Sequence, residues 1–132
     1  MIGLDTNVLI RLFVRDDPAQ FEQAKKLFQF LSEEKPAWIS VTNILEVEWV
    51  LRSKYDFDRS GVAEILFNLI GLPTVVIEEQ KTVAHALALY LEKKADFGEC
   101  MVVSSAEAAG CTHTLTFDKI AARDLGMELL SS

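Results

Sequence analysis

The first ten residues, Met1 to Ile10, constrain the fold more than any other stretch. They begin as a short apolar run without charge until Asp5, and after Asn7 they return to an apolar pattern with helical spacing. A short apolar run that ends in a turn signal is typical of a strand buried on both faces. Asp5 is therefore expected where a central strand ends and a helix begins, at the edge where open α/β sheets bind ligands. A poorly solvated carboxylate there needs a partner, and we expect a divalent metal ion.

Length, charge and cysteine content limit the class of protein. The 132 residues fit one domain, 1–132, with its own core. A formal charge of −7 disfavours a dedicated electrostatic nucleic-acid binder, but it permits a nuclease because bound metals neutralise an acidic site. Cys100 and Cys111 form no CxxC motif and are expected to be reduced thiols in the core of a cytosolic protein. Without a basic leader or an uninterrupted apolar span, the chain is expected to be soluble, cytoplasmic and free of membrane contact.

Five strand patterns alternate with one or two helices along the chain. The strands are predicted at 1–4, 37–40, 73–77, 112–117 and 127–130. Helix caps are predicted at Asp17, at Ser40 or Thr42, at Ser60 and at Asp118, and helix stops at Gly110 and Gly126. This alternation indicates an α/β fold, a three-layer sandwich in which helices flank a central parallel sheet of four to five strands.

Acidic residues stand at the transitions that such a sheet gathers at one edge. Asp5 follows the first strand, Glu46 lies one turn into the helix after the second, and Asp118 follows the fourth. Glu99, with Asp96 one turn before it, opens the helix before the fourth strand. We therefore predict that Asp5, Glu46, Glu99 and Asp118 converge on one pocket.

Each acid also has a simpler structural interpretation. Asp118 is well placed as a helix N-cap, and Asp96 with Glu99 loosely matches a capping box. Glu46 lies in an apolar helix segment whose solvated face is narrow, and Glu48 is expected to be the solvent-facing one of the two. Asp5 is the hardest to explain as a cap alone.

Taken together, the motifs resemble the PIN-domain ribonuclease family, and within it the VapC-type toxins. The similarity lies in residues 4–11 (LDTNVLIR), 16–20 (DDPAQ), 40–55 (SVTNILEVEWVLRSKY), 95–103 (ADFGECMVV) and 114–119 (TLTFDK). The resemblance spans essentially the whole chain in the right order. It implies a PIN-like fold, an endoribonuclease activity that depends on Mg²⁺ or Mn²⁺, a cognate antitoxin that inserts a peptide across the acidic groove, and a homodimer.

One residue departs from the family pattern. The third motif usually ends in Asp, where this chain has Glu99. The extra methylene moves the carboxylate by about a bond length, and metal geometry is sensitive on that scale. We expect Glu99 to serve, with Asp96 as a second contributor or as a helix cap.

The expected chemistry is hydrolysis of an RNA phosphodiester bond. Asp5, Glu99 and Asp118 are predicted to hold Mg²⁺ or Mn²⁺, while Glu46 binds metal or orients the attacking water. Thr6, Asn7 and Thr116 are candidates for hydrogen bonds that fix the carboxylates. Without metal, mutual repulsion is expected either to strain the site or to raise carboxylate pKa values. Basic side chains available to RNA are Arg11, Arg15, Arg52, Lys54, Lys93, Lys94, Lys119 and Arg123.

Two other functions are weighed against this one. A phosphotransfer protein would use Asp5 as nucleophile, but Asn7 stands where the phosphatase pattern has a second Asp. A non-catalytic PIN-like module would bind RNA or protein through a site weakened by Glu99. His85 and His113 lack the spacing and the cysteine partners of a zinc site.

Overall fold

The computed structural model describes residues 1–130, and the chain divides into two compact units, Met1–Gln80 and Lys81–Ser132. Each unit has its own buried side chains and its own strands. The single domain 1–132 stays a prediction, and its last two residues lie outside the described part.

The first unit alternates strands and helices. In chain order it contains β1 (Ile2–Gly3), α1 (Thr6–Phe13), α2 (Pro18–Phe30), β2 (Ala37–Ile39), α3 (Val41–Lys54), α4 (Arg59–Ile70) and β3 (Val75–Ile77). The three strands are parallel in the order β1-β2-β3, with Ile2 opposite Ala37 and Ala37 opposite Val75. Each pair of neighbouring strands is connected through helices, as a parallel sheet requires.

Local sequence explains where these helices begin. The Asp17 carboxylate accepts a hydrogen bond from the Gln20 N–H, and Pro18 occupies the first helical position. Ser40 caps α3, which settles the choice between Ser40 and Thr42. The cap predicted at Ser60 is wrong, because the Asp58 carboxylate accepts from the Gly61 N–H and α4 begins earlier.

The core of the first unit lies where α1, α3 and α4 meet β2 and β3. Its fully buried side chains recur at helical spacing on α3 and α4. They are Leu9, Ile39, Ile44, Val47, Leu51, Val62, Leu66 and Leu69. Within this core α1 packs on α3, α3 packs on α4, and α4 packs on β3.

The second unit contains α5 (Gln80–Lys93), α6 (Phe97–Ala108), β4 (Leu115–Thr116), α7 (Lys119–Leu125) and β5 (Glu128–Leu129). Strands β4 and β5 pair in parallel, with Leu115 opposite Glu128. The buried rings of Tyr90 and Phe97 meet edge to face at 5.3 Å. Cys100 is buried as expected, but Cys111 is exposed, so the core position expected for it is wrong. Gly126 ends α7 with φ 69°, a conformation that glycine adopts without strain, as the predicted stop requires.

The predicted sheet of four to five strands is wrong. The described residues form a three-stranded sheet and a separate two-stranded one, although all five strands occur near their predicted positions. The sequence shows strands of apolar residues but not which edges pair, and ladders of two or three residues leave pairing weakly specified. The α/β class with parallel strands is confirmed, and the three-layer arrangement stays a prediction.

Strand β1 is also not the central, buried strand that the opening residues suggested. It lies at the edge of the sheet beside β2, and Ile2 is 48% exposed. Asp5 is accordingly exposed rather than poorly solvated. Its carboxylate therefore pays little desolvation cost before a ligand binds.

None of the helices within residues 1–130 combines the length and the apolar character needed to cross a bilayer.

Candidate active site

Asp5 stands at the start of α1, but its helix does not use its carboxylate. Its side chain makes no capping hydrogen bond, and Val8 N–H bonds to the Asp5 backbone carbonyl instead. At the other aspartate N-caps, the carboxylate accepts a backbone N–H of its own helix. Those residues are Asp17, Asp58, Asp96 and Asp118. The Asp5 carboxylate therefore keeps its acceptor capacity for a ligand.

Asp5 and Glu46 line the same cavity, which we call the acid cavity. It measures about 280 Å³ and lies between α1 and α3. Two basic side chains, Arg11 and Lys54, line it as well. Its complete lining is Asp5, Thr6, Asn7, Ile10, Arg11, Glu46, Val50, Lys54 and Tyr55. Carboxylates that attract a cation and cations that attract a phosphate thus line the same open cavity.

Arg11 is held in place by a hydrogen-bond network. Its Nη1 atom donates to Asp16 Oδ1 and to Tyr55 OH, both at 3.0 Å, and its Nε donates to Gln20 Oε1 at 2.6 Å. The Tyr55 hydroxyl donates in turn to Asp16 Oδ2 at 2.8 Å. A guanidinium fixed in this way loses less freedom on binding a phosphate than a mobile one.

Asn43 connects the turn that carries Asp5 to the helix that carries Glu46. Its Nδ2 donates to the Leu4 carbonyl at 3.2 Å and to Thr6 Oγ1 at 3.1 Å, on either side of Asp5. Its Oδ1 accepts from the Ser40 N–H at 3.0 Å, completing a capping box. Asn43 was not predicted as a site residue, although it lies three residues after a serine N-cap, at the position where a capping box places the side chain that bonds back to the cap. Thr6 is thereby buried as an acceptor for Asn43.

We expect Asn43→Ala to lower the free energy of unfolding by about 1–3 kcal/mol, because it leaves partly buried groups at Leu4, Thr6 and Ser40 without a partner. Chemical denaturation measures this value. Thr42→Ala, an exposed neighbour on the same helix turn, is the matched control and should change stability little. Equal stabilities of the two variants would show that Asn43 does not hold the two turns together.

Glu48 is buried, so the expectation that it faces solvent is wrong. It is 4% exposed and its Oε2 accepts from Arg52 Nε at 2.7 Å, whereas Glu46 is exposed. Glu48 lies on the α3 face that also buries Ile44, Val47 and Leu51. That spacing of three and four residues was the available signal. The correction leaves Glu46 as the accessible acid of α3.

The second unit brings three acidic side chains within electrostatic reach of one another. Partial burial raises the pKa of Glu99, and the negative charges of Asp118 and Asp96 raise it further. Burial is the larger cause of the raised pKa of Glu99, and repulsion by Asp118 and Asp96 adds to it. A bound cation would relieve this repulsion.

Asp96 and Asp118 also act as the caps that their positions predict. Asp96 Oδ2 accepts from the Glu99 N–H at 3.1 Å, and Asp118 Oδ1 accepts from Ile120 N–H at 2.8 Å and Ala121 N–H at 3.2 Å. An added Cβ at Gly98 would lie 3.0 Å from Asp96 Oδ2, so glycine leaves room for that cap. Within residues 1–130 the other oxygen of each aspartate and the Glu99 carboxylate make no hydrogen bond. Capping therefore uses one oxygen of each aspartate and leaves acceptors for a ligand.

Within residues 1–130, none of the supporting residues Thr6, Asn7 and Thr116 makes a hydrogen bond to a carboxylate. Thr116 Oγ1 accepts from the Asp118 N–H at 3.0 Å. Asn7 is exposed and lines the acid cavity. His85 Nδ1 lies 3.0 Å from the buried Ser104 Oγ, a contact between α5 and α6 that sequence reasoning did not find.

Comparison with known proteins identifies the family. The family model described as PIN domain matches residues 2–124. The chain belongs to the PIN domain family. It is similar to a VapC ribonuclease from Aquifex aeolicus (strain VF5), at 21% identity over 117 residues, which are 88% of this chain and 86% of that protein. The resemblance predicted from the motifs is thereby confirmed.

A solved toxin–antitoxin complex from Klebsiella pneumoniae is also similar in sequence to this PIN domain. The identity is 21%, the match covers 99% of this chain and 97% of that chain, and the TM-score is 0.34.

The donors present in this PIN domain suit Mg²⁺ or Mn²⁺. Within residues 1–130 no group of three or more His, Cys, Asp or Glu side chains is arranged to hold a metal ion. Mg²⁺, however, keeps several waters and commonly takes one or two carboxylates together with substrate phosphates. The shared cavity of Asp5 and Glu46 and the mutual repulsion at Glu99 fit that kind of ligation. Convergence of the first-unit acids with Glu99 and Asp118 stays a prediction.

Proposed function

We propose that this PIN domain is an endoribonuclease that hydrolyses RNA phosphodiester bonds with Mg²⁺ or Mn²⁺. The observation that carries the proposal is the acid cavity, where a carboxylate that its own helix leaves unused shares one enclosure with Glu46 and two cationic side chains. The similarity to a VapC ribonuclease supports the nuclease activity independently of that geometry.

The residues have complementary roles in this proposal. Asp5, Glu99 and Asp118 hold the metal, and Asp96 contributes an oxygen or serves as a cap alone. When bound, the metal supplies Lewis-acid stabilisation of the charge that develops on the phosphate and activates water. Glu46 orients the attacking water and accepts its proton. Thr6, Asn7 and Thr116 support these acids.

Arg11 and Lys54 bind the phosphate that enters the acid cavity. Arg11 is fixed by Asp16, Tyr55 and Gln20, so it provides orientation as well as charge. The Lys54 ammonium lies 5.8 Å from the Trp49 ring centroid, at the end of a flexible four-carbon side chain. Lys54, together with an Arg11 that is ion-paired with Asp16, places positive charge beside the acids in a chain of charge −7.

We further propose that the protein is the toxin of a type II toxin–antitoxin pair and forms a homodimer. The VapC-type resemblance supports this assignment. The aromatic side chains of Phe30, Trp49 and Phe67 are exposed and available for such contacts. Large exposed apolar side chains are common at protein interfaces.

A non-catalytic PIN-like module is the second candidate. It is favoured by Glu99, which stands where the third motif of the family usually has Asp. Such a module would bind RNA equally well with and without metal and would leave the RNA intact.

The deciding experiment incubates a structured RNA pool with the protein in Mg²⁺, in Mn²⁺ and in EDTA. The enzyme is expected to cleave only with metal, and cleavage unaffected by EDTA would exclude metal dependence.

We also expect saturating Mn²⁺ to raise the melting temperature by about 5 °C, because the metal binds the folded site alone. The control is NaCl at matched ionic strength. An unchanged melting temperature at millimolar Mn²⁺ would contradict a metal site in the folded protein.

A further inference from the structure

A second cavity lies beside the acid cavity, between α1 and α2, and we call it the α1–α2 groove. It measures about 330 Å³ and is lined by Asn7, Val8, Arg11, Gln20, Gln23, Ala24 and Leu27. Asn7 and Arg11 line both cavities. A ligand whose phosphate lies at Arg11 can therefore extend into the groove while its neighbouring bond lies beside Asp5 and Glu46.

The lining of the groove combines apolar surface with carboxamides. Val8, Ala24 and Leu27 supply the apolar part, and Asn7, Gln20 and Gln23 supply amide groups. No carboxylate lines the groove, and its one cationic group, the Arg11 guanidinium, is ion-paired with Asp16 outside the lining. Apolar surface suits the face of a nucleobase, and carboxamides match the paired donors and acceptors along its edge.

The hydrogen bonds already made determine what the amides can offer. Arginine only donates, so the contact between Arg11 Nε and Gln20 fixes the oxygen of Gln20 toward Arg11 and leaves its NH₂ group as a donor. Within residues 1–130 the side chains of Asn7 and Gln23 make no hydrogen bond. Gln23 thus offers both a donor and an acceptor to a ligand.

We propose that the α1–α2 groove is a subsite for one unpaired RNA base next to the cleaved phosphodiester bond, and that Gln23 determines which base it accepts. The inference rests on the proposed ribonuclease function and adds a source of specificity to it. A peptide helix in the same groove is the alternative occupant. The amides and the fixed Arg11 favour a nucleotide, because a helix that docks in a groove usually requires a row of apolar contacts.

The first test sequences the ends of fragments that the full chain produces from a random RNA pool. Wild type is expected to prefer one base at a position next to the cut. Gln23→Leu keeps the size and the helix but loses the amide, and should reduce that preference about tenfold. Gln29→Leu, an exposed glutamine of α2 outside the groove, is the matched control and should keep the preference. An unchanged preference in Gln23→Leu would overturn the proposal.

The second test does not depend on cleavage. The four nucleoside 5′-monophosphates and inorganic phosphate are titrated into the full chain, and NMR follows the Gln23 amide and the Leu27 methyl groups. Shifts that depend on the base support the subsite, and equal shifts with phosphate alone overturn it. Base-dependent shifts without RNA cleavage would support the subsite while refuting the ribonuclease. RNA cleavage without base-dependent shifts would support the ribonuclease while refuting the subsite.

An antitoxin peptide in the groove would give a different result. Gln23→Leu would then weaken neutralisation of the toxin by its antitoxin while base preference stayed unchanged. That combination also overturns the proposal.

Discussion

Asp5→Asn is expected to reduce metal-dependent RNA cleavage by about 10³-fold while leaving the protein folded. The substitution removes a negative charge from the acid cavity, and loss of a metal ligand removes several kcal/mol of transition-state stabilisation. Stability should be preserved, because the Asp5 carboxylate makes no capping bond and asparagine is itself a good N-cap. Single-turnover cleavage and the melting temperature measure the two effects separately.

Asp58→Asn is the matched control for this substitution. It makes the same chemical change at another helix N-cap of the first unit, where the carboxylate accepts from the Gly61 N–H outside the acid cavity. It should retain wild-type cleavage. If Asp5→Asn kept more than half of the activity, or if both variants lost it equally, Asp5 would not be part of the catalytic site.

Glu99→Gln is expected to reduce the rate of cleavage by at least about 10²-fold. The same substitution is expected to stabilise the metal-free protein. Because the folded state raises the pKa of Glu99, it binds this proton more tightly than the unfolded chain does. Below the ordinary value of 4.5 both states are protonated, and as pH rises through the folded pKa the free energy of unfolding falls. The glutamine side chain does not titrate, so the variant does not lose this free energy of unfolding as pH rises. The advantage of the variant should therefore appear above pH 4.5 and grow toward the folded pKa.

Glu99→Asp tests the same position from the other side. It restores the residue that the family usually has, so it should retain or improve cleavage. Melting temperatures at several pH values without metal measure the effect on stability. A cleavage assay on the same variants measures the activity. Equal activity of the Gln and Asp variants would transfer the metal-binding role to Asp96. A Gln variant that gained no stability with rising pH would exclude the repulsion among Glu99, Asp118 and Asp96.

The elements of this fold could be predicted from sequence because each carries its own local signal. Apolar periodicity gave the helices, and Asp17, Ser40 and Gly126 marked their ends by capping chemistry. Strand pairing could not be predicted in the same way. The ladders contain only two or three residues, and pairing depends on contacts between segments distant in the chain.

The candidate site shows the same division. Asp5 and Glu46 were found from their positions after strands, and they do share a cavity. Asn43 and the network around Arg11 were missed, because the partners of Asn43 at Leu4 and of Arg11 at Tyr55 lie about forty residues away along the chain. The exposure of Asp5 could not be read from its apolar neighbours, because it depends on the edge position of β1.

The way in which Asn43 joins two turns restricts which side chain that position accepts. Deamidation to aspartate would keep the oxygen that faces the Ser40 N–H, but an acceptor would replace the NH₂ group that faces the Leu4 carbonyl and Thr6 Oγ1. It would also add a negative charge to the first turn of α3, the helix of Glu46, next to the turn that carries Asp5. Deamidation of this one side chain would then loosen the contact between the two turns. At the same time it would make the charge beside Asp5 and Glu46 more negative.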